Sequence, residues 1–191
     1  MVISIFKPPE DGKTWAEQKV GDICDCTSYE YEKYFNGAGT FTAEVPVNTR
    51  FRSELLVNRF LVTDSGDALI IKNIQTTLET IKLTGYDLNG LLCDRVILGT
   101  DEDGHDPHAG STEECVKYYV RSNMVDSAVP ERNLPRFDVT ANSDRGTADD
   151  SAYPRYQNLQ ELVTELCGAA KLGWRVSINK NASLNEPIFL F

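Results

Sequence analysis

Hydrophobic and polar residues alternate with a period of two over the first half of the chain, which is typical of β-strands with one buried face. The segment SYEYEKYF (28–35) alternates in this way, and NGAG (36–39) follows it. Asn-Gly predicts a hairpin because both residues tolerate positive φ. TFTAEV (40–45) then resumes the alternation until Pro46 ends the strand. The positions expected to point inward are Phe41, Ala43 and Val45.

A second hairpin is predicted further along the chain. RFLVTD (59–64) and ALIIKNI (68–74) flank a Ser-Gly-Asp turn at 65–67. The next run, TIKLTG (80–85), places Ile81 and Leu83 on one face and polar residues on the other. These segments together predict an antiparallel β-meander with one face exposed to solvent.

Three later segments carry the 3.6-residue spacing of amphipathic helices, at 85–99, 111–125 and 158–173. Each begins at a residue that commonly caps a helix N-terminus. In the second helix, Ser and Glu three positions apart form a capping box. The residues expected to cap these helices are Asp87, Ser111 with Glu114, and Asn158 with Glu161, while Gly173 is expected to end the third helix.

The remaining segments are shorter or more polar. A long polar stretch, 124–156, is interrupted by a short predicted strand at 136–140, and WRVSI (174–178) predicts a strand after the third helix. The apolar PIFLF (187–191) is expected to pair with the strand VISIF (2–6). The alternative is that the chain is the N-terminal part of a longer protein.

The predicted fold is α+β, with an antiparallel β-meander or barrel-like sheet and three flanking helices. Residues 1–100 form a β-rich region with the first helix, and 101–191 form a helical and loop region with returning strands. A hydrophobic content of 41% and a charged content of 25% are those of an ordinary globular protein. The two regions are therefore compatible with one compact unit.

Charge and cysteine content narrow the classes of partner. The formal net charge of −10 disfavours nucleic acid and anionic membrane surfaces as partners. No run of 18 apolar residues is present, and the N-terminus lacks the basic region of a signal peptide. Five cysteines without paired spacing indicate reduced thiols. We therefore expect the protein to fold in a cytoplasm.

Both histidines lie in DEDGHDPHAG (101–110), together with several carboxylates. A metal-dependent hydrolase could use His105 and His108 with Asp101 and Asp103 as ligands. The glycines and the proline of this segment exclude a helix, so such ligands would lie on irregular backbone. Turn residues account for every position without a ligand, and we interpret the segment as an acidic solvated loop. The metal-site hypothesis remains as the alternative.

No other motif assigns chemistry to the chain. Neither a G-x-S-x-G elbow nor a phosphate-binding P-loop occurs, and Gly37-Ala38-Gly39 joins two strands instead of opening a helix. The sequence therefore predicts no catalytic residue, no metal ligand and no cofactor-binding residue. Exposed tyrosines leave a carbohydrate- or receptor-binding module as a further alternative.

Three segments in a fixed order resemble a known family. They are FNGAGTFTAEVPV (35–47), residues 68–97 with their Gly-x-Asp-Leu and Leu-Leu-x-x-Arg motifs, and NLQELVTELCGAAKLGWRVSI (158–178). Together they resemble the siphovirus tail-protein family named after the phage ReqiPepy, which is distantly related to the baseplate-hub proteins of contractile tails. The resemblance spans about 150 residues. Its weakest parts are the 101–110 and 124–156 loops, where partner contacts are often made.

The resemblance implies a structural component of a phage or prophage tail, at the tail tip or baseplate, with no enzyme activity and no cofactor. It implies a location in the virion tail, after synthesis and folding in the bacterial cytoplasm, and contacts with other tail or baseplate proteins. Analogy with hub proteins adds a closed or nearly closed β-barrel and ring-like self-association, such as a trimer. The residues expected to matter for the architecture are Gly39, Phe41, Gly85, Asp87 and Arg95. We expect Arg95 to pair with an acidic or carbonyl partner.

Overall fold

The computed structural model describes all 191 residues and divides them into two compact units. We call them the sheet unit and the helical unit. The sheet unit consists of residues 1–34, 38–88 and 180–186, and the helical unit of residues 35–37, 89–179 and 187–191. The predicted regions 1–100 and 101–191, taken as parts of one compact unit, stay a prediction.

The sheet unit contains one seven-stranded antiparallel sheet. Its strands, in chain order, are β1 (Ile3–Phe6), β2 (Lys19–Ile23), β3 (Ser28–Glu32), β4 (Thr40–Pro46), β5 (Phe60–Thr63), β6 (Ala68–Thr76) and β7 (Thr80–Asp87). Their order across the sheet is β2-β1-β5-β6-β7-β4-β3. The predicted β3–β4 and β5–β6 hairpins are both confirmed, because each pair is antiparallel and hydrogen-bonded.

The core of this unit is built from one face of the sheet. The predicted inward residues of β4 and β7 all lie in it, and no more than 3% of any of their surfaces is exposed. They are Phe41, Ala43, Val45, Ile81 and Leu83. The expected closed or nearly closed barrel does not form, since β2 and β3 remain as the two edges of an open sheet. The sheet therefore keeps two strands with backbone groups available for pairing.

The prediction of a first helix at 85–99 is wrong. β7 continues through Asp87, and a single 3-10 turn at Leu88–Leu91 follows it. The sheet determines this outcome, because Tyr86 pairs with residues of both β4 and β6. Leu88 and Leu92 are buried nonetheless, so the apolar spacing that indicated a helix instead serves a strand end and a turn. The fold thus has two α-helices and not three.

The helical unit carries the shorter elements. They are β8 (His108–Gly110), α1 (Thr112–Met124), β9 (Phe137–Asp138), β10 (Asp150–Ala152), α2 (Leu159–Ala169), β11 (Ser177–Ile178) and β12 (Phe189–Leu190). β8 pairs with β10, and β12 lies between β11 and β9. Neither helix is long and apolar enough to cross a membrane.

The two observed helices begin where the sequence predicts. The Ser111 side chain accepts a hydrogen bond from the Glu114 amide at 3.2 Å, and the Asn158 side chain caps α2 in the same way. Gly173 does not end α2, contrary to expectation. The helix ends at Ala169, and Lys171 adopts the left-handed conformation at φ 57° instead. The Leu172 amide then bonds to the Cys167 carbonyl at 2.8 Å, as in a Schellman motif.

The predicted pairing of the last apolar segment with the first is also wrong. β1 has β2 on one side and β5 on the other, so neither of its edges is available. The last strand, β12, instead runs antiparallel to β11 and parallel to β9. The strand predicted at 136–140 is present as β9, although it is only two residues long.

Candidate functional site

The residues considered as metal ligands do not converge. His105 sits half-buried with its Nδ1 atom 3.2 Å from the Tyr153 carbonyl oxygen, while the His108 ring stacks on Tyr118 with 3.8 Å between ring centroids. Asp101 uses a carboxylate oxygen to accept a bond from the His105 amide at 2.6 Å. Asp103 is exposed. No three His, Cys, Asp or Glu side chains anywhere in the protein are grouped to hold a metal ion.

The residue that organises this loop is Asp106, which the sequence analysis did not single out. Only 1% of its surface is exposed. Its carboxylate accepts hydrogen bonds from the hydroxyls of Thr100 and Tyr118, both at 3.0 Å. Its backbone carbonyl accepts a bond from the Tyr119 hydroxyl at 2.7 Å. The loop is therefore ordered, and one of its carboxylates serves as an internal anchor.

Asp106 also explains the behaviour of the two tyrosines on α1. Burial raises the pKa of Tyr119, and the neighbouring Asp106 charge raises it further. Burial and the hydrogen bond to Asp106 raise the pKa of Tyr118. Both hydroxyls remain protonated donors at neutral pH. In the sequence Asp106 is surrounded by exposed acids, and no local pattern distinguishes the one that is buried.

A second carboxylate, Glu113 on α1, holds the polar stretch 141–147 in place. Arg145 binds it through two parallel bonds, Nε to Oε2 at 3.0 Å and NH2 to Oε1 at 2.8 Å. The ammonium of Lys117 lies 2.6 Å from Oε1. The side-chain bond from Arg145 lowers the pKa of Glu113, and Lys117 lowers it further. This stretch of the predicted 124–156 loop is consequently fixed on the first turn of α1.

The residues expected to matter for the architecture have identifiable contacts in the sheet unit. The Asp87 carboxylate accepts a bond from the Tyr31 hydroxyl at 3.0 Å, and the Asp87 amide donates to the Gly39 carbonyl at 2.9 Å. A Cβ on Gly39 would lie 2.6 Å from the Glu32 carbonyl oxygen. A Cβ on Gly85 would lie 1.9 Å from the Ile70 carbonyl oxygen. Both glycines thus allow a close approach of neighbouring backbone.

Arg95 pairs with carbonyl groups, as expected, although it does not lie on a helix. Its guanidinium donates to the Arg132 carbonyl at 3.1 Å and to the Asp94 carbonyl at 3.3 Å. Burial lowers the pKa of Arg95, and the nearby Arg132 charge lowers it further. Arg132 is not recognisable from the sequence as its neighbour, because 37 positions separate the two residues.

The two edges of the sheet are the other candidate surfaces. In β3, three exposed residues alternate with half-buried tyrosines, and β2 begins with an exposed lysine. Neither strand contains a proline, and neither has a second hydrogen-bonded neighbour. A strand edge of this kind offers a row of backbone donors and acceptors to another chain.

The buried carboxylates of the protein serve structural bonds, and its two histidines are separated. Its accessible features include strand edges, and proteins can contact one another through such edges. The model of the Siphovirus ReqiPepy6 Gp37-like protein family matches residues 13–186. The chain belongs to this family of phage tail proteins.

Solved tail proteins share its fold. The prophage tail protein gp18 from Listeria monocytogenes EGD-e superposes with a TM-score of 0.57 at 10% identity, covering 100% of this chain and 50% of its own. The 43 kDa tail protein of prophage MuSo2 from Shewanella oneidensis has a TM-score of 0.56 at 9% identity, and the match covers 100% of this chain and 52% of that protein. The tail protein from Neisseria meningitidis MC58 superposes with a TM-score of 0.51 at 10% identity, covering 99% of this chain and 49% of its own. The chain thus spans about half the length of these proteins. No curated protein matches it.

Proposed function

We propose that this chain is a structural component of the tail tip or baseplate hub, that it has no enzyme activity, and that it works by assembly with copies of itself and with other tail proteins. Membership of a phage tail protein family supports the location in the virion tail. The fold shared with prophage tail proteins supports the same role.

The observation that carries the assembly proposal is the open seven-stranded sheet. Its edge strands β2 and β3 are regular, free of proline and unpaired on one side. Pairing β2 of one copy with β3 of the next would satisfy both edges and would build a ring if the rotation closes. A trimer is the ring we propose. The charged residues on both edges would restrict this pairing to the correct neighbour.

The first experiment is mass spectrometry of tail particles purified from an induced culture of the source bacterium. Peptides of this chain that co-purify with tail proteins at a fixed ratio would support the proposal. Detection in the lysate, with absence from intact particles, would contradict it. The same peptides would establish the C-terminus of the natural protein.

A proline scan of β3 tests the edge itself. Alternate amides of an edge strand point towards its neighbour and away from it. Proline at Glu30 and at Tyr31, introduced separately, therefore removes one amide of each kind. We expect one variant to keep the thermal stability of the wild type and lose self-association in analytical ultracentrifugation. If both variants stay folded and assemble normally, or the one variant that stays folded does so, pairing through β3 is refuted.

A further inference from the structure

Arg95 and Arg132 form a reciprocal pair in the helical unit. The Arg95 guanidinium donates to the Arg132 carbonyl at 3.1 Å, and the Arg132 guanidinium donates to the Val96 carbonyl. Arg132 also reaches the Asn123 side-chain oxygen at 3.3 Å. Each guanidinium thus lies beside the backbone that carries the other, and all of their acceptors are neutral.

Neither arginine of the pair is in an ion pair, although the nearby Asp94 charge partly offsets the effect of Arg132 on the pKa of Arg95. Other arginines of the protein have carboxylate partners: Arg59 pairs with Glu54, Arg121 with two aspartates, and Arg145 with Glu113. Arg95 and Arg132 are half-buried, and each buries an Nε atom that has no hydrogen-bond acceptor. Two like charges in partly desolvated surroundings repel each other and favour a nearby anion.

The side chains next to the pair in the sequence are of mixed character. Val96 and Val129 are 42% and 41% exposed. Asp94 and Glu131 are exposed as well. Two guanidiniums whose hydrogen-bond acceptors are all neutral nevertheless suit an acidic segment of another polypeptide. Arginine suits this task because its planar group binds carboxylates through paired bonds.

The chain itself carries a segment of the complementary charge. Asp101, Glu102 and Asp103 are consecutive, exposed and outside every ion pair of the structure. The loop is ordered, because the His105 carbonyl accepts hydrogen bonds from the amides of Thr100 and Asp101. A preorganised acidic loop loses little conformational freedom when it binds.

We propose that the Arg95–Arg132 pair of one copy binds the acidic loop 101–103 of a second copy. This contact deepens the proposed function, on which it rests for the self-association of the chain, and both of its partners belong to the helical unit. It also gives the DEDG sequence a role that needs no metal ion.

The competing explanation is that the two arginines only join the segments 94–98 and 129–133 of the same molecule. The two explanations differ in the double variant Arg95→Gln/Arg132→Gln. If the arginines only join these two segments, the double variant should have a lower free energy of unfolding and unchanged association. A binding site requires association to weaken by about tenfold or more, since close interfacial charge pairs contribute that much.

Charge reversal supplies the decisive measurement. Sedimentation equilibrium compares the wild type with Arg95→Glu/Arg132→Glu and with the triple variant Asp101→Lys/Glu102→Lys/Asp103→Lys. Each variant alone brings like charges together and should associate at least tenfold more weakly. An equimolar mixture of the two restores attraction, so it should recover association. Arg121→Gln, which alters an arginine already paired within the chain, is the matched control and should behave as wild type.

Three outcomes would overturn the proposal: a wild type that stays monomeric at millimolar concentration, loop variants that associate normally, or a mixture that recovers nothing although both variants are folded. If the arginine variant fails to fold, the glutamine pair and the triple loop variant decide the question by themselves. Normal association of these variants, with assembly lost in a β3 proline variant, would refute this contact and leave the proposed function intact.

Discussion

Different kinds of interaction stabilise the interior of each of the two units. In the sheet unit, long strands satisfy one another's backbone groups, and one apolar face supplies the core. In the helical unit, strands are only two or three residues long, and buried polar side chains bond to irregular backbone. Asn89 is an example, since it donates to the Gly37 carbonyl at 2.8 Å and accepts from the Val176 amide at 2.7 Å.

The difference shows how irregular chain can still pack. Every buried amide and carbonyl needs a partner, and a regular sheet provides these partners by itself. Where the backbone is irregular, specific side chains must provide these hydrogen-bond partners. Individual polar residues therefore contribute more to the stability of the fold. Substitutions should therefore act through lost apolar contact in one unit and through lost hydrogen bonds in the other.

The largest expected effect is in the core of the sheet unit. Leu83→Ala removes a fully buried side chain from β7 and leaves a cavity. We expect the free energy of unfolding to fall by about 2–5 kcal/mol, measured by urea denaturation. Lys82→Ala, on the opposite face of the same strand, should change it by less than about 0.5 kcal/mol. Equal effects of the two substitutions would contradict the one-faced core.

Glu113→Gln should have the next largest effect, now in the helical unit. The amide keeps the shape of the carboxylate but loses the charge that binds Arg145 and Lys117. We expect a loss of about 1.5–3 kcal/mol at pH 7, the usual range for hydrogen bonds to charged groups.

This loss should depend on pH in a defined direction. The pKa of Glu113 is lowered in the folded state from its ordinary value of 4.5. The carboxylate therefore stabilises the fold above pH 4.5, and this contribution disappears progressively as the pH falls below that value. Urea unfolding of the wild type and the variant between pH 7 and pH 3 should show their difference narrowing. A difference that stays constant would refute the ionic contribution.

Tyr119→Phe isolates a single polar anchor of the helical unit. The substitution keeps the buried ring but removes the hydroxyl that donates to Asp106 and lies 3.1 Å from the Ala152 carbonyl oxygen. We expect a loss of about 1–2 kcal/mol in thermal unfolding. Tyr153→Phe removes a hydroxyl from a side chain that is 71% exposed and should be neutral. If both substitutions are neutral, Tyr119 contributes by packing alone.

Lys171→Gly has the smallest expected effect and the opposite sign. Lys171 lies two residues after the last residue of α2, at φ 57°, where a side chain is strained and glycine is not. We expect a gain of about 0.5–1 kcal/mol. Lys171→Ala keeps the Cβ and therefore tests whether the gain comes from backbone conformation or from removal of the charge. A gain of the same size with alanine would exclude the conformational explanation.

The same contrast explains which parts of the fold the sequence could predict. Strand alternation identified β4 and β7 with their inward residues, and the caps located α1 and α2, because these patterns are local. The failure at 85–99 came from pairing with β4 and β6, which outweighed an apolar spacing compatible with a helix. The partners of β12 depend on a loop closure that local sequence does not specify.

The candidate site was predicted less completely for the same reason. The carbonyl partner of Arg95 was expected from its charge. The segment 101–110 was correctly expected not to form a helix, but it is not solvated throughout, because His108–Gly110 form β8 and Asp106 is buried. Asp106 could not be distinguished from its exposed neighbours, and Arg132 becomes relevant only when distant segments meet. Periodicity identifies faces of regular elements, whereas a polar contact between irregular segments leaves no periodic trace.

The position of β12 between β9 and β11 also sets an order of events during translation. Thr140, next to β9, bonds to the carbonyl of Phe191, 51 positions later in the chain. The nascent sheet unit has β1 to β7 available once residue 88 leaves the ribosome, whereas β9 must wait for residues 189–190. The seven strands of the sheet can therefore pair before β9 meets its partner, and the β9 edge remains unpaired while the intervening residues are synthesised.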